Sequence, residues 1–299
     1  MTLSNSTPYL VSFTNRGTLV FTNWDTILYA TNVTLATGTV KHALCATSGQ
    51  TPTTSNRVYV VCSNLTVLPG ALINVDELGY TPGGPGTPAA GSRAGGSFGG
   101  TGGRGGSGTY GLSASPMEPG SSGQGQSAPF TGTGYGGGCV RIEALGRVTV
   151  DGAITANGRN PNGGDQGGGS GGGIYITCDT FAGTGLVRAH GASVQNDGSL
   201  GSDPGAGGGG RIAVIYNTAS QTAVSPRSAV AFSARGGAPW HATASFAGTI
   251  GTLCFPDDQL IPDALDDRFN GILDGFSQWD AVNAIMSNSL IQFSSNNFV

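Results

Sequence analysis

The side chains able to do chemistry in this chain are few and far apart. Between residues 139 and 255 the carboxylates are Glu143, Asp151, Asp165, Asp179, Asp197 and Asp203. Hydrolysis of a glycoside needs two carboxyl groups facing one sugar-sized gap, and a lyase needs a base beside its acids. Neither grouping is visible in the spacing. Asp151 falls at an Asp-Gly corner, and Asp165, Asp197 and Asp203 fall in glycine loops, where short carboxylates are expected to cap backbone N–H groups. No catalytic residue is assigned, and the expectation is a protein that is not an enzyme.

Metal and thiol chemistry fare no better. The loops Asn162-Gly-Gly-Asp165 and Asn196-Asp-Gly198 offer hard oxygen ligands of the kind calcium takes. They lack the G-G-x-G-x-D spacing of calcium-binding nonapeptides, and Asx-turns are the expected use. Cys45, Cys62, Cys139, Cys178 and Cys254 are odd in number and contain no C-x-x-C pair, so a zinc site is not expected. Three end or interrupt strand-like runs (VYVVC, IYITC, TLCF), as small buried thiols do. His42, His190 and His241 share no motif with a cysteine that would make a nucleophile pair. No metal and no cofactor are expected.

Binding chemistry remains. Tyr110, Tyr135 and Trp240 lie in or beside glycine-rich loops, where a flat ring could stack on a sugar; they are the candidate glycan-binding residues. Large rings usually bury, so the competing reading makes them pins that hold glycine layers together.

The elements that must position these residues are strands. In GGGCVRIEALGRVTVDGAITANG, residues 136–158, apolar residues alternate at Val140, Ile142 and Ala144, then Val148 and Val150, then Ile154 and Ala156. Period two marks half-buried strands, and Asp151-Gly152 suits a corner. The unit recurs. Val140-Arg-Ile, Ile174-Tyr-Ile and Ile212-Ala-Val align, each entered from a glycine run, with Gly248-Thr-Ile-Gly-Thr-Leu-Cys254 expected 38 residues after the last. Second strands align as Gly152–Gly158, Gly185–Gly191 and Val230–Gly236. Repeats of 20 to 50 residues signal stacking, because no unit buries its own apolar face. Stacking predicts ladders of Ile154, Val187 and Phe232 and of Ala156, Ala189 and Ala234. Residues 58–75 form an early copy.

Residues 79–138 hold 23 glycines in 60 positions. Gly96, Gly99, Gly102, Gly105, Gly108 and Gly111 recur every third residue, the period of an extended threefold helix with one bare face. Ordered packing is expected there, with a flexible linker as the alternative.

The fold class read from these patterns is all-β: a parallel β-helix, or β-solenoid, with glycine-rich polyglycine-II-like side loops. A β-sandwich is the competitor. Residues 1–57 read as a β-rich N-terminal attachment or oligomerisation module, 58–255 as the repeats (79–138 a long glycine-rich insertion), and 256–299 as a C-terminal cap or the start of a jelly-roll domain. The sequons at Asn32 and Asn64 read as ordinary surface polar residues.

GGGCVRIEALGRVTVDGAITANG, followed by GGGSGGGIYI, GTGLVRAHG and GGGGRIAVIYN, resembles a glycine-rich β-helix repeat family over about residues 58–255. That family occurs in bacterial surface and adhesin-like proteins and in phage structural proteins. The resemblance implies a structural or adhesive role and brings no established catalytic residues. Asp266-Asp-Arg-Phe-Asn-Gly271, Trp279 and Ser287–Phe293 resemble the opening strands of a concanavalin-like (laminin-G-like) domain.

Composition narrows the partners. Charged residues are 10% of the chain, net charge is −4, and there is no basic cluster, so nucleic acid is not expected as a partner. No apolar run approaches the roughly 20 residues that span a bilayer, so membrane insertion is not expected. The opening MTLSNSTPYLVSF lacks the pattern of a signal peptide, and release in a cytoplasm is expected. Together these point to a virion (phage) fibre, spike or appendage component, located in the virion and presenting a glycan- or receptor-binding surface. Its expected partners are other virion or surface structural proteins, a host-surface glycan and further copies of itself as a homo-oligomer. A bacterial surface adhesin or extracellular filament subunit, and a polysaccharide lyase or hydrolase on a β-helix, are the alternatives.

Overall fold

A computed structural model describes residues 1–48, 51–125, 133–162, 165–195, 203–240, 244–261, 285–287 and 290–293. The chain is all-β, and nearly all its strand pairs are parallel. In an eleven-stranded sheet, parallel pairing runs from Leu10–Asn15 to Leu28–Leu35, Val58–Val67, Cys139–Ala144, Gly173–Cys178, Arg211–Tyr216 and Thr252–Phe255. The second half of Val58–Val67 pairs instead with Arg147–Val150, which pairs in turn with Thr180–Ala182. A seven-stranded parallel sheet takes Thr2–Leu3, Thr18–Phe21, Gly38–His42, Ala71–Asn74, Ala153–Thr155, Leu186–Arg188 and Ala231–Ser233 in that order. A small third sheet joins Cys45–Ser48, Thr51–Thr54 and Tyr80–Thr81. No helix among the described residues is long and apolar enough to cross a membrane.

Alternation in the sequence decides which side chains face inward, and the pairing register stacks like on like. Leu19, Val40, Ile73, Ile154, Val187 and Phe232 form one continuous column, and none is more than 2% exposed. Ala156, Ala189 and Ala234 follow one step further along, all fully buried. Val58, Val140, Ile174, Ile212 and Leu253 make a second column from the other sheet. The inward faces of both sheets merge into a single apolar cluster, where Phe232 packs between Phe181 and Phe255 at centroid distances of 5.8 and 5.0 Å. Branched and aromatic side chains at these positions fit a pleated, half-buried surface.

Two expectations need correction. Ile212 pairs with Leu253, 41 residues on, and not with Ile250, because the loop between them is longer than the alignment of glycines suggests. The division expected at residue 57 also falls inside a sheet: Leu28–Leu35 pairs along its length with Val58–Val67, so residues 1–57 contribute strands to the same two sheets. At the other end, Leu290–Phe293 pairs antiparallel with Thr252–Phe255, and Ile285–Ser287 pairs with it in turn. These antiparallel strands extend the larger sheet, with Ile285–Ser287 as its end strand among the described residues. Residues 262–284, with most of the acidic segment and Trp279, lie outside the described residues.

Candidate binding surface

The glycine-rich segments leave the sheets between strands and pack against one another through their backbones. Segment 207–210 is bonded on several sides at once. Gly99 N–H donates to Gly209 O (3.0 Å), Gly171 N–H to Gly208 O (3.0 Å), and Gly208 N–H to Gly96 O (2.9 Å). Gly209 N–H donates to Thr249 O, Gly207 N–H to Ala192 O, and Gly237 N–H to Gly207 O. Backbones approach this closely only where no Cβ intervenes. A Cβ at Gly99 would collide with the Gly210 carbonyl, at Gly100 with that of Thr249, and at Gly102 with that of Gly95.

The threefold period packs only over its first half. Gly105 and Gly111 adopt positive φ (+73° and +69°) and turn the chain, while Gly108 has open space where a Cβ would stand. The linker reading fails for 94–103, whose glycines are buried and bonded. Buried serines tie the layers: Ser122 Oγ accepts from Gly83 N–H (2.7 Å), Ser121 Oγ from Gly86 N–H (2.9 Å), and Ser97 Oγ from Gly102 N–H (2.9 Å). Nothing in the local sequence separates these serines from surface ones.

Tyr110 is built into this layer. Its ring packs on fully buried Phe98 at 4.7 Å, and its hydroxyl donates to Pro119 O (2.6 Å) and pairs with Ser121 Oγ (2.9 Å). Burial raises its phenol well above the usual range, with Ser121 opposing the shift. Arg211, where the glycine segment enters its strand, donates to Tyr110 O (2.9 Å), and its guanidinium lies 5.5 Å from the Phe98 ring centre. Tyr110 therefore acts as a pin. Tyr135 is half-buried under the Arg159 guanidinium (4.5 Å), which reaches Glu77 at 3.8 Å. Trp240 is 52% exposed at the end of a described segment. Tyr110 and Tyr135 lie against different segments, so no shared platform joins them.

A second cluster escaped sequence reasoning. On the outward face of the larger sheet, register places Tyr59 beside Arg141 and Arg141 beside Tyr175. The guanidiniums of Arg57 and Arg141 each lie 4.5 Å from the Tyr59 ring centre, and Arg57 is also 4.4 Å from that of Trp24. Arg57 Nε donates to Trp24 O (2.7 Å), Tyr59 OH to Glu143 Oε2 (2.9 Å), and Arg141 Nε to Glu143 Oε1 (2.8 Å). Alternation marks Tyr59, Arg141, Glu143 and Tyr175 as outward. Their meeting depends on a pairing between Tyr59 and Arg141, 82 positions apart, that no local signal encodes. Arg57 and Tyr59 are buried in this stack (5% and 8% exposed), so the groups it offers to a ligand are the partly exposed Arg141, Glu143 and Tyr175, which can bond a sugar's hydroxyls.

The remaining candidate groups serve structure. All five cysteines are buried and free, and burial pushes Cys45, Cys62 and Cys178 up to about 12 and Cys254 to about 11. Such thiols stay protonated and inert. Burial holds His42 down at about 4, against a smaller opposing effect from Ala43 O; its Nε2 accepts the Cys139 N–H (3.0 Å). Asp151 Oδ1 accepts from Thr184 N–H (3.0 Å), the capping use expected of it, whereas Asp165 pairs with Arg93 at 3.3 Å. Asn64 Nδ2 donates to Asn32 Oδ1 (3.0 Å), joining the two sequon asparagines across adjacent strands. Asn196, Asp197 and His241 lie outside the described residues. Among the described residues no group of three His, Cys, Asp or Glu side chains could hold a metal. No family model, curated protein or solved structure matches the chain.

Proposed function

We propose that this chain is a parallel β-helix whose glycine segments form a polyglycine-II-like layer beside it. In this reading it is a rigid structural component of a virion fibre, spike or other appendage, holding or forming a receptor-binding surface. The observation that carries the proposal is the segment 207–210. Its backbone is bonded to segments 95–100, 169–172, 234–237 and 248–251, while the strands flanking it stay in unbroken parallel register. A chain that commits this much backbone to internal bonding supplies stiffness and a fixed outer surface. Arg141, Glu143 and Tyr175 on the larger sheet and the Tyr135–Arg159 pair are the candidate contacts for a host-surface glycan.

Immunogold labelling of purified virions with antibody against the folded chain is the test. Label on an appendage is the expected result. Label on the surface of uninfected cells transfers the role to an adhesin or filament subunit. Release of reducing or unsaturated sugar ends from capsular glycans by the pure protein overturns the structural reading.

A further inference from the structure

The alternation that buries Val40, Ile73, Ile154 and Val187 leaves two outward rows crossing the seven-stranded sheet. In the first, Leu72 pairs with Ala153 and Ala153 with Leu186, all partly exposed and Leu72 at 36%. Two residues further along the same strands, Asn74 pairs with Thr155 and Thr155 with Arg188. Val40 pairs with Ile73, so Lys41, the next residue, extends this second row beside Asn74. An apolar row thus runs beside a polar one, about 7 Å away along the strands.

The polar row consists of donors that the protein itself leaves unused. Among the described residues the Lys41 ammonium, the Asn74 amide nitrogen, the Thr155 hydroxyl and the Arg188 guanidinium make no hydrogen bond and no ion pair. The acceptor of Asn74, Oδ1, is already taken by Asp76 N–H (3.0 Å). Arg188 Nε is buried without a partner, so packing and not a carboxylate holds this side chain. Elsewhere Arg57, Arg93, Arg141 and Arg159 each lie against a carboxylate. The acids nearest the row in sequence are engaged: Asp76 Oδ1 accepts from Asn157 N–H (2.7 Å), and Glu77 lies 3.8 Å from Arg159. The negative net charge does not belong to this part of the chain. Seven of the 17 acidic side chains fall in residues 256–299, so residues 1–255 carry twelve cations against ten carboxylates.

We propose that this face binds an acidic polysaccharide laid across the strands, its carboxylates on Lys41 and Arg188 and its hydroxyls on Asn74 and Thr155. Leu72 and Ala153 receive the apolar C–H faces of the sugar rings. Lys41 and Arg188 stand three strands apart, about 14 Å at the usual strand spacing. A uronate polymer separates its carboxylates by whole sugar units with hydroxyls between them, which matches the order cation, amide, hydroxyl, cation. A nucleic-acid backbone carries a charge every ~1.7 Å and needs a denser set of cations. The proposal rests on the glycan reading for its class of ligand, but places it on a different sheet from Arg141, Glu143 and Tyr175.

The test is affinity electrophoresis of the full chain in native gels containing polygalacturonate, alginate or hyaluronan, read against the same gel without polymer. Fully methyl-esterified pectin is the uncharged counterpart of the first. Retardation by an acidic polymer and none by the esterified one is the expected result. Lys41→Gln and Arg188→Gln are each expected to weaken retention about fivefold, the worth of one partly exposed ion pair. Arg16→Gln and Arg147→Gln remove the same charge away from the row and are expected to leave retention unchanged. Urea midpoints equal to the parent's show that each variant keeps the fold. Equal weakening by all four variants, equal retention by the esterified polymer, or no retention by any of the three acidic ones overturns the proposal. Retention lost in Tyr175→Ala but kept in Lys41→Gln and Arg188→Gln overturns it too, and leaves the glycan reading standing.

Discussion

The side-chain amide of Gln221 satisfies both backbone groups of Phe181: Oε1 accepts the Phe181 N–H at 2.8 Å, and Nε2 donates to its carbonyl at 2.9 Å. Thr180–Ala182 is the edge of its part of the sheet, and the next tier supplies a short helix, Thr218–Gln221, where a strand would otherwise pair. Asn217 caps that helix and fixes Gln221, which is 3% exposed. One amide thus stands in for the missing strand. Gln221→Ala is expected to cost about 2 kcal/mol by leaving both backbone groups without a partner. Gln221→Glu is expected to cost at least as much, since a carboxylate cannot donate to the carbonyl. Urea unfolding midpoints check both.

His42 makes the fold sensitive to acid. Its imidazole accepts the Cys139 N–H and falls from 6.5 to about 4 on folding. Because the folded value is the lower one, the unfolded chain binds more protons between those limits. The contribution is fully present above pH 6.5 and is lost as pH falls toward about 4. Its size is at most about 3 kcal/mol. Unfolding measured at pH 7.5 and pH 4.5 is expected to show that loss. His42→Gln is expected to flatten the difference, and an unchanged slope in the variant would refute the assignment.

The glycine layer separates two otherwise similar positions. Gly99→Ala drives a methyl group into the Gly210 carbonyl and is expected to cost about 3 kcal/mol, at the upper end for overpacking because a backbone must yield. Gly108→Ala meets open space and is expected to be neutral, or stabilising by up to about 1 kcal/mol through the unfolded chain. Equal effects at the two sites would show that the layer does not form in solution.

Amide exchange tests the same layer residue by residue. Gly99, Gly171 and Gly208 donate to buried carbonyls and are expected to exchange slowly, close to the global opening rate. Gly105 and Gly108 are exposed and are expected to exchange fast.

Tyr110 and Trp240 are expected to part company. Tyr110→Ala removes a ring packed on Phe98 together with two hydrogen bonds, and is expected to cost about 3 kcal/mol of stability. Trp240→Ala, at a ring 52% exposed, is expected to weaken retention on host-surface glycan. Retention unaffected by Trp240→Ala, Tyr135→Ala and Tyr175→Ala alike would remove the glycan from the proposal.

How far the site was legible follows from the range of each interaction. Val140, Ile142, Val148, Val150 and Ile154 declare their inward faces by alternation alone, and the repeat spacing pairs 140 with 174 and 174 with 212. The last pairing was misjudged by three residues, because Gly248–Cys254 aligns by glycines while the sheet aligns by Leu253 against Ile212. Tyr110 could be named as a candidate from its glycine surroundings, but its role as a pin depends on Pro119 and Ser121 being folded back upon it. The Tyr59–Arg141 stack had no signature, since each residue looks like any outward polar or aromatic position.

The sequence by itself determined the β class, the inward faces, most of the repeat spacing and the packed first half of the glycine run, because period two and period three are local properties of a chain. Tertiary structure decided which tier lies beside which across the 79–138 insertion. It also decided which serines are buried, which rings are pins, and where a side-chain amide replaces a strand. Those outcomes depend on register between segments tens of residues apart. Register is set by the whole core closing at once, and no single segment encodes it.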